Sequence, residues 1–156
     1  MRAERLQGRC ATALCYGAAM ARRLAVLTMC IWAAACLWRS YATILSVHLD
    51  VLTQTAAKLC SVVEARRGPT AEGMAEYVYP AQRGREFLHQ FSNYSSRRSY
   101  QQFSVYLDRY EAMVRDVDAT RAQRGNWQAL LPRLTAQRDA LAQLAGQIRA
   151  DLKTGD

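Results

Sequence analysis

Between Arg23 and Arg39 the chain carries no charged residue from Leu24 to Trp38, and this run restricts what the polypeptide can become more than any other feature. Its first part, Leu24 to Ala35, is 12 residues long. A helix that spans the hydrocarbon layer needs roughly 20 apolar residues, whereas the apolar core of a secretory signal needs about 7–15. The run is therefore short for a permanent span and suited to an export signal. It ends in Ala33, Ala34 and Ala35, whose small side chains let an extended backbone enter a narrow peptidase groove. Arg22 and Arg23 lie immediately before it. Positive charge stays on the cytoplasmic side, so the residues after the run are expected outside the cytoplasm.

The segment Ala33-Ala34-Ala35-Cys36 resembles the lipobox of bacterial lipoproteins, with Ala33 where that family usually has Leu. The resemblance implies that the Cys36 thiol receives a diacylglycerol and that Cys36 becomes the mature N-terminus. Cys30 suits this role less well, because bulky Met29 precedes it. Three other readings stay open. The first is an uncleaved signal anchor, with the stretch continuing past a snorkelling Arg39 to Leu49. The second is an ordinary secretory signal cut after Ala35, and the third is the buried helix of a soluble protein. Met20-Ala21-Arg22-Arg23 is a complete start for a signal. Residues 1–19 therefore read as an overextension ahead of the natural start or as a short cytoplasmic tail. Residues 20–35 read as the signal and residues 36–156 as an exported domain.

Composition bears on compartment and source. Of the 21 Lys and Arg residues only two are Lys, and Ala is abundant, which points to a GC-rich genome and hence a bacterium. Four of the five cysteines, Cys10, Cys15, Cys30 and Cys36, lie in the first 36 residues. With Cys36 acylated, Cys60 is alone in the exported domain, where no intramolecular disulfide forms and no C-x-x-C exists for zinc or redox chemistry. Cys60 reads as a small buried hydrophobe.

Beyond the signal, apolar residues recur at helical spacing in four stretches. The first is Leu45, His48, Leu52, Thr55, Leu59 and Val62, widened by Ile44, Val51 and Val63 and stopped at Arg66-Arg67-Gly68-Pro69, where Gly68 is expected to supply a left-handed residue. The second is Met74, Tyr77, Val78, Ala81, Gly84, Leu88 and Phe91, with Thr70 as its expected cap, Glu72 in its first turn and a kink expected at Pro80. Asn93 to Ser96 form a polar turn. The third is Tyr100, Phe103, Leu107, Tyr110, Val114 and Val117, ending before Gly125; the fourth, capped by Asn126, is Trp127, Leu130, Leu134, Leu141, Leu144, Ile148 and Leu152. No run alternates with the period of two that marks a strand. Short connectors between long helices make neighbours antiparallel, so the expected fold is all-α, an up-down antiparallel bundle of four helices. A three-helix array, or a long first helix running from the membrane, is the alternative architecture.

Chemistry-bearing motifs are sparse. Glu86-Phe87-Leu88-His89 places a carboxylate and an imidazole on one helix face, the spacing used in di-iron bundles. Those bundles need a second such motif, and the other histidine, His48, has Leu45 three residues before it. There is no C-x-x-C-H for haem, no G-x-S-x-G, no H-E-x-x-H and no G-x-x-x-x-G-K. The pairs Glu72/Glu76 and Asp116/Asp118 read as solvated faces. No cofactor and no catalytic residue is expected. Tyrosines concentrate between Tyr77 and Tyr110, beside Arg97 and Arg98. Arg among aromatics can stack nucleobases, but an exported location argues against a nucleic-acid partner. Tyr and Arg also anchor protein interfaces. Tyr100 and Tyr110 are expected in the core, and Tyr94, Arg97, Arg98 and Tyr106 form the expected contact surface. The favoured function is a non-enzymatic, lipid-anchored helical bundle that binds an envelope protein or acts as a scaffold. The alternative is a sensor-like bundle that binds a small ligand or metal through His48, Glu86 and His89.

Overall fold

The computed structural model describes the backbone of residues 4–65 and 68–155 and the side chains from Val26 onward. Four helices make up the described residues: α1 (Glu4–Glu64), α2 (Ala75–Gln90), α3 (Arg98–Ala122) and α4 (Trp127–Thr154), with a single 3-10 turn at Ser92–Tyr94. No described residue is in a strand. The all-α bundle is thus as the periodicity predicts, with a long first helix in place of a break after the signal segment. The chain divides into two compact units, residues 1–41 and 42–156, and α1 contributes to both.

In the second unit the pairing of side chains sets the topology. Asp50 near the start of this part of α1 meets Arg149 late in α4, while Cys60 further along α1 reaches the Leu134 carbonyl early in α4. Lys58 pairs with Glu76 at the start of α2, and His48 packs on Phe87 near its end. The Tyr110 hydroxyl donates to the Tyr77 carbonyl, and the Tyr100 hydroxyl donates to that of Leu88. Gln137 and Arg133 of α4 hold Asp116 late in α3, while Arg98 at the start of α3 meets Asp151. Each successive pair of helices is therefore antiparallel, and α1 and α3 run in the same direction across the core. Tyr106 spans that diagonal. The Thr53 hydroxyl donates to the Leu49 carbonyl at 2.6 Å, so the Tyr106 hydroxyl, 3.2 Å away, supplies the proton to Thr53 Oγ1.

Leu45, Leu49, Leu52, Ala56, Leu59 and Val63 of α1 are buried. They alternate by four and three, the seam spacing of helices that cross at a small angle. Burying each Leu removes about 1.5–3 kcal/mol of apolar exposure. The seam is rotated from the expected stripe: His48, Thr55 and Val62 sit half-buried at its flank, and Ile44 and Val51 are exposed. Phe103, Tyr106, Leu107, Tyr110, Met113 and Val117 of α3 and Leu134, Leu141, Leu144, Ala145 and Ile148 of α4 complete the core.

The helix ends depart from expectation in three places. Thr70 does not cap α2. Its hydroxyl accepts from the Gly73 amide in a turn ahead of the helix, which begins at Ala75 without a side-chain cap and has Glu76, not Glu72, in its first turn. Gly68 is not left-handed; the Trp127 indole lies so close to its backbone that a Cβ would fall 2.0 Å from Trp127 Cζ2. The left-handed residue that closes α3 is Arg124, with φ 49°. There the Gly125 amide donates to the Thr120 carbonyl and the Arg124 amide to that of Arg121, the Schellman arrangement. Asn126 caps α4 as expected, its side chain accepting from the Gln128 amide at 2.9 Å.

Candidate membrane anchor and contact surfaces

From Val26 to Leu37, α1 is apolar on every side. Val26, Leu27, Met29, Ile31, Trp32 and Leu37 are between 58% and 74% exposed. A helix in water hides its apolar residues on one face, whereas one that is apolar all round belongs in a nonpolar environment. Among the described residues this is the one helix long and apolar enough to cross a membrane. Trp38 follows, half-buried, with its ring 5.3 Å from that of Tyr41, which is fully buried and so presents no ring to a membrane boundary. Cys30 and Cys36 are exposed, and the helix passes through Cys36 without a break.

The expected contact set does not form one surface. Tyr106 is fully buried, because α3 faces two helices at that level and its apolar stripe is broad enough to include both Tyr106 and Leu107. Burial pushes its phenol above the ordinary tyrosine range. Arg97 and Arg98 are engaged within the bundle. The Arg97 guanidinium donates to the Gly155 carbonyl at 2.9 Å, and Arg98 Nε lies 3.5 Å from the Asp151 carboxylate. A cation at the carbonyl end of α4 also opposes the negative end of its backbone dipole. Tyr94 is half-buried, its ring 6.1 Å from that of Phe91.

The expected metal ligands also stay apart. His48 is half-buried, its ring 5.2 Å from Phe87 and 6.3 Å from Phe103. Burial, and then repulsion from Arg83, lower its pKa below the ordinary histidine value. Glu86 points to Arg83 at 2.6 Å, and His89 is exposed. Among the described residues no three His, Cys, Asp or Glu side chains converge as metal ligands would. Among the described residues His48, Glu86 and His89 are thus not gathered into one ligand set, and Glu86 lies against Arg83 in an exposed i,i+3 pair. Cys60 is buried as expected, its thiol 3.7 Å from the Leu134 carbonyl.

Two features of the α2–α3 face were not legible in advance. Arg85 forks onto Glu111, with bonds of 2.9 and 3.0 Å, and also reaches Asp108 at 2.5 Å. Beside it lies a groove of about 200 Å3 lined by Tyr77, Val78, Ala81, Gln82, Val114 and Arg115, together with Glu111. Tyr79 stands out from α2 at 60% exposure, with the Arg83 guanidinium 6.0 Å from its ring centre. The one sequence signal for the Arg85 site was the pair Asp108 and Glu111, three apart and so on a single helix face.

Comparison of the chain with protein-family models, with curated proteins and with solved structures finds no match.

Proposed function

We propose that this chain is a membrane-tethered, extracytoplasmic helical bundle with a binding or scaffold role rather than a catalytic one, held by a diacylglycerol on Cys36. The observation that carries the membrane part of this reading is the all-round apolar exposure of Val26 to Leu37, which suits a segment that directs the chain to a bilayer; the diacylglycerol rests on the resemblance of Ala33-Ala34-Ala35-Cys36 to a lipobox. Such a surface is stable in lipid and a liability in water. Arg22 and Arg23 before it set the orientation, with residues 36–156 on the periplasmic side. The buried polar groups favour a structural use of the bundle: the hydroxyls of Tyr106 and Tyr110 are spent on contacts between helices. The face available to an envelope partner is that of Val78, Tyr79 and the α2–α3 groove, in place of the dispersed Tyr94, Arg97, Arg98 and Tyr106 set.

The decisive measurement is the intact mass of the protein extracted from membranes. A diacylated species beginning at Cys36 is the expected result. An intact, unprocessed chain in the membrane fraction replaces the lipid tether with a signal anchor. A reporter enzyme fused after Asp156 that is active only in the cytosol refutes the location and the tether together.

A further inference from the structure

Within the second unit, the outer side of α1 is bare of charge. Ile44, Val47 and Val51 are 39%, 56% and 44% exposed, and exposed Gln54 follows them on the same side. From Ser40 to Ala57 the one Asp, Glu, Lys or Arg is Asp50, and Arg149 of α4 holds it at 2.6 Å. Lys58 ends the uncharged stretch and is taken by Glu76 of the same chain. The exposed positions of the other helices are different in kind, with Arg83 and Glu86 on α2, Asp108 and Arg109 on α3, and Arg133 and Asp139 on α4. Lipid is a poor cover for the bare side. The Asp50–Arg149 pair is itself exposed and lies between Val47 and Val51 along the helix, and a charged pair open to its surroundings belongs in water.

The spacing of these residues points to their cover. Ile44, Val47, Val51 and Gln54 are separated by three, four and three residues, which are the a and d positions of a two-helix seam. The buried seam from Leu45 to Val63 has the same spacing and is already filled by the bundle, so α1 carries a second seam that its own chain leaves open. The open seam has β-branched Ile44 and Val51 at its a positions, a choice that favours two parallel strands. In a parallel pair each a and d residue faces its own copy. Such a stripe must therefore be free of charge, since like charges would meet across it, and the centres of protein interfaces are depleted of charge in general. We propose that the outer side of α1 is a contact between two copies of this chain, with Ile44, Val47, Val51 and Gln54 packed as a parallel seam about a two-fold axis. The inference stands apart from the tethered reading, because it uses the second unit alone and needs only a second copy. It also uses a different face from the α2–α3 groove.

The test expresses the full chain in two copies with different epitope tags. A benzophenone amino acid at Val51 captures, on irradiation, whatever lies against the seam, and the same probe at exposed Gln143 of α4 is the reference. The expected result is a product carrying both tags, about tenfold more abundant from Val51 than from Gln143. Equal yields from the two sites, or no two-tag product, overturn the seam. A product that joins one tag to a different protein or to lipid assigns the face to that occupant and overturns the second copy. Charge at Val47 then tests the register, because this residue should face itself. Val47→Asp in both copies, or Val47→Lys in both, is expected to lower the two-tag product about tenfold, and Val47→Asp in one copy with Val47→Lys in the other is expected to restore it. Recovery in the mixed pair also shows that neither substitution unfolds the chain. A mixed pair as low as the matched pairs overturns the self-facing register; Val47 is 56% exposed, so neither charge is buried within a single chain.

Discussion

Replacing Gly84 by alanine sets two effects of opposite sign against each other. Alanine in a helix interior is favoured over glycine by about 1 kcal/mol. At this position, however, α2 and α3 approach closely: a Cβ on Gly84 would lie 2.7 Å from Leu107 Cδ2, 3.2 Å from Cδ1 and 3.4 Å from Phe103 Cζ. Carbon atoms pack best at about 3.5–4.0 Å, so the methyl must displace Leu107. Leu107 and Phe103 are fully buried, which leaves the displaced side chain no solvent to move into. Overpacking of this kind costs about 1–3 kcal/mol. The expected outcome is a net loss of about 1 kcal/mol for Gly84→Ala, read as a lower urea midpoint by circular dichroism at unchanged slope. The double variant isolates the contact. Leu107→Ala alone is expected to cost about 2–5 kcal/mol. In that background the space is open, and Gly84→Ala is expected to stabilise by its helix preference, about 1 kcal/mol. The sign reversal corresponds to a coupling of about 2 kcal/mol between the two positions, within the range for touching residues. A Gly84→Ala variant that is stabilised equally with and without Leu107 refutes the close approach of α2 and α3.

Three further outcomes follow from named contacts. Tyr106→Phe removes the proton donated to Thr53 across the core and should lower stability by about 1 kcal/mol in urea, while leaving capture of any envelope partner unchanged because Tyr106 reaches no surface. Stability should fall with acid through the histidine range. The unfolded chain protonates His48 at its ordinary value of about 6.5, whereas the folded chain resists protonation until a lower pH. The contribution is therefore intact above the ordinary value and lost as pH drops through the folded one, and His48→Leu should flatten that part of a thermal-melt profile. Arg124→Gly should raise stability by about 1 kcal/mol, read as a higher urea midpoint at unchanged slope, because glycine occupies the left-handed end of α3 without the Cβ strain that Arg124 bears; an unchanged or lower midpoint counts against that strain.

The helical class was legible because spacing by three and four is a property of each segment alone. Tyr110, Leu134, Leu141 and Ile148 went into the core as their spacing demanded, and the Asn126 cap formed because its reach to the Gln128 amide spans two residues. The fate of a residue at the edge of a stripe was not legible. Ile44 and Val51 are as apolar as Leu49, yet they are exposed while Leu49 is buried, since the choice depends on where α2 and α4 meet α1. The Arg97–Arg98 pair read as a free surface for the same reason. Its partners, Gly155 and Asp151, are more than fifty residues away in the chain.

What the sequence alone determined is therefore the local physics: helices in place of strands, their number, the Asn126 cap, and a long apolar N-terminal segment. What only the tertiary structure decided is how those helices face one another. That arrangement withdrew Tyr106 into the core, split the expected contact set, tied Glu86 to Arg83 and brought Gly84 against Leu107. Periodicity reports which side of a helix is apolar. It carries no record of the neighbour that will cover that side, because contacts between distant segments depend on shape matching across the whole bundle.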